Sequence, residues 1–142
     1  KFEAKLVILG VIDHKIRFHK KILDLAKDNP SIIFYGTEYN QENLINIRNH
    51  AIHYLHGHTV GGTNPSLVEA MEHSRSVIAH DNRFNRWVLN DQGLYFSNEN
   101  QLIQVFNNVV NIDMLAKNRL TVRKELKWSY IFEKYTKIFN EY

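Results

Sequence analysis

The feature that most constrains this chain is an alternation of short apolar runs with segments of helical period, joined by short polar connections, from one end to the other. Lys5 to Leu9 is an apolar run ending at Gly10, the pattern of a buried strand. Ile16 to Ala26 spaces Ile16, Phe18, Ile22, Leu23, Leu25 and Ala26 as a helix does, and Asp28, Asn29 and Pro30 end it. Ile32 to Tyr35, closed by Gly36, reads as a second strand. Gln41 to Asn49 reads as a short helix and Ile52 to Leu55 as a third strand. A helix over Asn64–His73, a strand over Ser76–His80, a helix over Arg83–Leu89, a strand over Leu94–Phe96 and a helix over Glu99–Val110 follow. One long closing helix carries Trp128, Ile131, Phe132, Tyr135, Ile138, Phe139 and Tyr142 on one face. This order implies right-handed βαβ units. The expected fold is α/β, a doubly wound, mostly parallel sheet of about five strands with helices on both faces, in a single domain over residues 1–142.

Composition narrows the function classes. Hydrophobic residues at 44% and charged residues at 23% suit a chain of 142 residues with a small core, and exclude a disordered or fibrous protein. There is no cysteine, so disulfides, thiolate catalysis and cysteine zinc sites are excluded. No apolar run approaches the ~20 residues that a membrane-spanning helix needs. The first ten residues read as a strand and not as a signal peptide. The absence of cysteine fits a reducing compartment, and the cytoplasm, including the inner face of the membrane, is the expected location. The net charge of +3 is concentrated between Lys117 and Lys137. A solvated helix face is the preferred reading there, and peripheral attraction to an anionic membrane is the lesser one. Nucleic acid is not an expected partner, because no basic patch interleaved with aromatics accompanies a known binding motif.

In parallel α/β sheets ligands sit beyond the carboxyl ends of the strands. The loops to inspect follow Leu9, Tyr35, Leu55 and His80, and the third stands out. His56 to Glu69 holds three of the six glycines and one of the two prolines. Asn64 suits an N-cap and Pro65 the first helical position. The amides of Ser66 and Leu67 are then expected to be free, and Gly61 and Gly62 let a ligand approach the backbone. Free amides at a helix N-terminus favour an anion, phosphate above all. Glu69 lies about one and a half turns in and leans back toward that end, where ribose hydroxyls would meet its carboxylate. Local chemistry leaves a second reading equally open: Ser66 to Glu69 fits a capping box, in which Glu69 satisfies the Ser66 amide.

The run Gly61 to Met71, followed by Ser76 to Ala79, resembles the donor-binding signature of glycosyltransferase family 4, which has the GT-B fold. The longer run Tyr54 to Met71 is similar to rhamnosyltransferase-like enzymes of bacterial capsule and O-antigen synthesis. Ala79 to Asn82, Phe84 to Arg86, Gly93 to Phe96 and Lys127 to Tyr135 follow the same group, so the resemblance covers nearly the whole chain. It implies a Rossmann-like donor-binding domain, one half of a GT-B enzyme. Such a domain serves transfer of a sugar, rhamnose among the candidates, from a dTDP- or UDP-linked donor, with retention of configuration and no metal or other cofactor. A lipid-linked glycan would be the acceptor, bound by a separate N-terminal domain.

By the same resemblance Glu69 matches the ribose-binding Glu. Gly62, Thr63 and Asn64 match positions near the diphosphate and sugar, and Gly36, Thr37, Glu38 and Tyr39 match the loop that meets the base. Ser66 and Leu67 complete the expected donor-binding set, and no residue is assigned as catalytic. The family's first Glu falls at Gly61, where His58 is the candidate replacement. Lys5 to Leu9 resembles the family's second strand, so the preceding strand, the Arg/Lys pair that clamps the diphosphate and the acceptor domain are expected to be missing, and this chain alone inactive. His73 to Ser76 also departs from the Gly and Pro that the family carries there.

Other clusters compete with this reading. His50, His53, His56 and His58 invite a metal, with Asp81 as a further ligand, but lack a spacing that specifies zinc; structural or sugar-contacting histidines are preferred. Asp81, Asn82, Asn85 and Arg86 suit either a site or a capping turn. The aromatic face from Trp128 to Tyr142 suits core packing or a domain contact. A non-catalytic nucleotide-binding or interaction module using the same loop is the leading alternative function. A receiver-like signalling domain would require more than Asp13 and Asp81.

Overall fold

A computed structural model describes residues 4–90, 92–108 and 113–140. The chain is α/β with parallel strands, and it divides into two compact units between Leu44 and Ile45, within one helix. The first unit holds β1 (Leu6–Leu9), α1 (Arg17–Ala26), β2 (Ile32–Gly36) and the start of α2 (Gln41–His50). β1 and β2 pair in parallel, Leu6 opposite Ile32 and Ile8 opposite Phe34, with an irregularity between Ile8 and Leu9.

The second unit continues from α2 through β3 (Tyr54–His56), α3 (Pro65–His73), β4 (Val77–His80), α4 (Arg83–Leu89), β5 (Leu94–Phe96) and α5 (Glu99–Asn108). It closes with α6 (Leu115–Thr121), a π-helical turn (Val122–Leu126) and α7 (Trp128–Asn140). Its sheet has the order β3-β4-β5, all parallel, with Tyr54 opposite Val77 and Ile78 opposite Leu94. β4 is central and its Val77, Ile78 and Ala79 are fully buried, which is why that stretch reads as continuously apolar. Leu67, Ala70 and Met71 of α3, spaced at i, i+3 and i+4, pack on this strand with Val88 and Leu89 of α4. The core of the second unit lies between α3, β4 and α4.

Among the described residues five strands form a two-stranded and a three-stranded sheet, not one five-stranded doubly wound sheet. Among the described residues β1 pairs only with β2 and β3 only with β4, so no hydrogen-bond ladder joins the two sets. Parallel pairing is non-local, and the apolar pattern that marks a strand does not name its neighbour. β3 also starts two residues later than Ile52: the ladder begins where the Tyr54 amide donates to the Ser76 carbonyl, 2.9 Å, and the Ile52 carbonyl instead accepts from the Ser76 hydroxyl.

The closing segment is not one long helix. Lys127 is extended (φ −70°, ψ 143°) and separates the π-helical turn from α7. Val122 and Leu126 pack against the core cluster, whereas Trp128, Phe132, Tyr135, Ile138 and Phe139 of α7 are exposed and contribute nothing to it. Tyr142 and the end of the helix expected over Glu99–Val110 lie outside the described residues. No helix among the described residues is long and apolar enough to cross a membrane.

Candidate functional site

The glycine-rich loop runs from the end of β3 into α3, and Asn64 caps that helix as its residue type requires. Its Oδ1 accepts from the Ser66 amide at 3.0 Å and from the Ser66 hydroxyl at 2.7 Å, and Pro65 takes the first helical position. The Leu67 amide donates to the Asn64 carbonyl at 3.0 Å. The amides of Ser66 and Leu67 are therefore engaged and not free as expected, because a well-formed cap consumes the donors it was meant to leave. The unengaged donors lie one step earlier. Among the described residues the amides of Gly61, Gly62, Thr63 and Asn64 donate to nothing. Gly61 sits at φ +120°, a conformation that side chains disfavour, and a Cβ at Gly62 would meet nothing within 4 Å. The result is an open stretch of bare backbone ahead of a helix end, suited to an anion.

Two asparagines of the next strand–helix junction hold this loop. Asn82 caps α4 by accepting from the Phe84 and Asn85 amides, both at 3.0 Å. Its Nδ2 donates to the His58 carbonyl at 3.0 Å, and buried Asn85 donates to the His58 and His80 carbonyls at 3.0 and 2.8 Å. Asn82 is thus both cap and tether. Tyr54 adds a link from β3 to α3, its hydroxyl donating to Ser66 Oγ at 3.2 Å.

Glu69 does not form the capping box, since the Ser66 amide belongs to Asn64. Its Oε2 instead accepts from Arg48 Nη2 at 2.6 Å. The Arg48 side chain is 10% exposed and that of Glu69 42%, so a nearly buried guanidinium of α2 reaches a half-exposed carboxylate of α3. Only Oε2 is taken, and Oε1 faces no partner among the described residues.

The histidines separate. His53 Nδ1 is hydrogen-bonded with the Ser76 hydroxyl. His56 is 1% exposed, and neither ring nitrogen has a hydrogen-bond partner among the described residues. Its ring stacks on exposed His58 with centroids 4.6 Å apart. Burial, helped by the His58 charge, pushes the His56 imidazolium down to about 4, so His56 is neutral at pH 7. Among the described residues no group of three or more His, Asp or Glu side chains is arranged to hold a metal ion.

Asp81 is held by Arg86, which donates from Nε at 2.5 Å and from Nη2 at 2.8 Å; these bonds hold the Asp81 carboxyl below the usual carboxylate range. Arg86 also lies over the Tyr95 ring, 4.3 Å from its centroid. Arg86 is thus held by Asp81 and Tyr95, and Arg83 is a cation beside the glycine loop. With Phe84 and Trp87, Arg83 lines a pocket whose other wall is Gly62 and Thr63. Sequence reasoning passed over Arg83 and Trp87; their i, i+4 spacing on a helix following a strand end was the available signal.

The loop matched to the base lies in the first unit. Gly36 adopts φ +85°, and Glu38 accepts from the Asn40 amide and from Asn43 Nδ2, both at 2.8 Å, bonds that lower its carboxyl pKa. Tyr39 is exposed. His58, Gly61, Gly62, Thr63, Asn64, Ser66, Leu67 and Glu69 come together in the second unit, around the β3–α3 junction. No protein-family model and no curated protein matches this chain.

Proposed function

We propose that this chain is a donor-binding domain of Rossmann-like type, of the kind that forms half of a GT-B glycosyltransferase, and that it holds a nucleotide-diphosphate sugar by its diphosphate. The observation that carries the reading is the run of unengaged amides from Gly61 to Asn64, tethered through His58 to α4 and ending at a capped helix. Donors fixed in advance stabilise charge without reorganising, and charge grows on the diphosphate as the sugar–phosphate bond breaks. Glu69, anchored through Oε2 by Arg48, keeps Oε1 for a ribose hydroxyl. The similarity of Tyr54 to Met71 to rhamnosyltransferase-like enzymes supplies the reaction class. The bond from the anomeric carbon to the diphosphate oxygen breaks with retention, a bond to an acceptor hydroxyl forms, and the hydroxyl proton leaves. A lipid-linked glycan for surface polysaccharide is the acceptor class in this reading, and the inner membrane face its place of action.

Calorimetric titration of the full chain with UDP, dTDP and their sugar conjugates, with and without magnesium, tests the reading. Expected is binding of the nucleoside diphosphates at equal affinity in both conditions, weakened by Gly62→Val, whose branched side chain would cover the open backbone. Absence of binding, or binding that requires the metal, overturns it.

A further inference from the structure

The pocket beside the glycine loop has a composition that the diphosphate reading does not use. It encloses about 450 Å³ between Gly62 and Thr63 on one side and Arg83, Phe84 and Trp87 of α4 on the other. Trp87 is 69% exposed, a large apolar ring left on the surface beside Gly62, which has no side chain to cover it. The Arg83 guanidinium lies over the Phe84 ring, 4.7 Å from the centroid, and no carboxylate pairs with it among the described residues. The walls are held together, since Asn82 and Asn85 at the start of α4 grip the His58 carbonyl of the loop.

We propose that this pocket takes the pyranose ring of the donor, with Trp87 as the face on which the sugar stacks. The proposal rests on the diphosphate reading above and adds where the transferred group goes. A pyranose presents a patch of C–H bonds on one face and hydroxyls around its edge. An exposed indole matches the patch, while the Arg83 guanidinium matches the edge. The two ends of a diphosphate lying along Gly61 to Asn64 have different surroundings. Glu69 is engaged from α2 by Arg48 and offers an acceptor for ribose, whereas the pocket opens against α4. The nucleoside therefore goes to the Glu69 side and the glycosyl group to Trp87. The volume holds one monosaccharide and is within the range of small-ligand sites.

The test compares UDP with UDP-glucose and dTDP with dTDP-rhamnose by calorimetry on the wild-type chain, Trp87→Ala and Trp87→Phe. Loss of the ring should weaken at least one of the sugar nucleotides about fivefold to tenfold, the range of one aromatic contact, and leave the parent diphosphates within about twofold. Trp87→Phe should recover part of the loss. In a Trp128→Phe background, where Trp87 is the one tryptophan, that sugar nucleotide should change the emission and its parent diphosphate should not. If the diphosphates bind and Trp87→Ala weakens sugar nucleotides and diphosphates alike, or neither, the pyranose assignment falls and the diphosphate reading stands. If nothing binds, both fall.

Discussion

Replacing Glu69 with alanine strands a guanidinium that has little water to turn to, and the cost follows from the geometry. Arg48 Nη2 and Glu69 Oε2 are 2.6 Å apart, with the arginine side chain 10% exposed and the glutamate 42%. An exposed ion pair contributes about 1 kcal/mol or less, and removing one partner of a fully buried pair costs about 3–5 kcal/mol. This pair is half of each, because solvent reaches the carboxylate and hardly reaches the guanidinium. Glu69→Ala is therefore expected to cost about 2 kcal/mol. Arg48→Met should cost less, about 1 kcal/mol, since its apolar chain fills much of the same space and the carboxylate left behind is solvated. The double variant should fall short of the sum by about 1 kcal/mol. Urea unfolding followed by far-ultraviolet circular dichroism at pH 7 measures all three. Additivity within about 0.3–0.5 kcal/mol, or an Arg48→Met variant less stable than Glu69→Ala, would refute the reasoning. The same asymmetry dictates how binding should be probed: Glu69→Gln keeps a polar partner for Arg48 and so separates a ribose contact from a folding defect.

Two further outcomes follow from single residues. The folded His56 pKa of about 4 lies below the ordinary histidine value near 6.5, so the unfolded chain binds the extra proton between these values. Stability from this site is complete above pH ~6.5 and is lost as the pH falls toward 4, a swing of about 2–3 kcal/mol. His56→Leu, which also removes two unpartnered buried nitrogens, should flatten that slope and hold the melting temperature at pH 5; an unchanged pH dependence would show that His56 is not the group responsible. At Gly93 a Cβ would stand 2.6 Å from Leu89 Cδ1 and 3.2 Å from the Tyr95 ring, and Leu89 is fully buried. Gly93→Ala should therefore cost about 1–3 kcal/mol in the same urea assay, and a neutral result would mean that the β5 entry has room to shift.

What the sequence made legible divides by distance along the chain. Asn64, Pro65 and Ser66 announce a helix start because a cap is built from three consecutive residues, and the structure has that cap. The same locality misled about the anion donors, since the oxygen of Asn64 that makes it a good cap also occupies the Ser66 amide. The strands of the second unit were readable because β4 is buried on both sides and must be apolar throughout. The division of the strands into a β1-β2 sheet and a β3-β4-β5 sheet was not, because strand pairing joins distant residues, Leu6 with Ile32 and Tyr54 with Val77. The Arg48–Glu69 pair shows the same limit: 21 residues separate the two, and no helical or strand period links them. Arg86 and Arg83 differ by less than one turn of α4, yet Asp81 claims the first and leaves the second beside the pocket. Chemistry local to one turn could place a phosphate-sized anion near Gly62. Deciding which cation and which aromatic ring stand beside it required knowing which side of α4 faces the loop, and that is fixed by Asn82 and Asn85 reaching across to a carbonyl at residue 58.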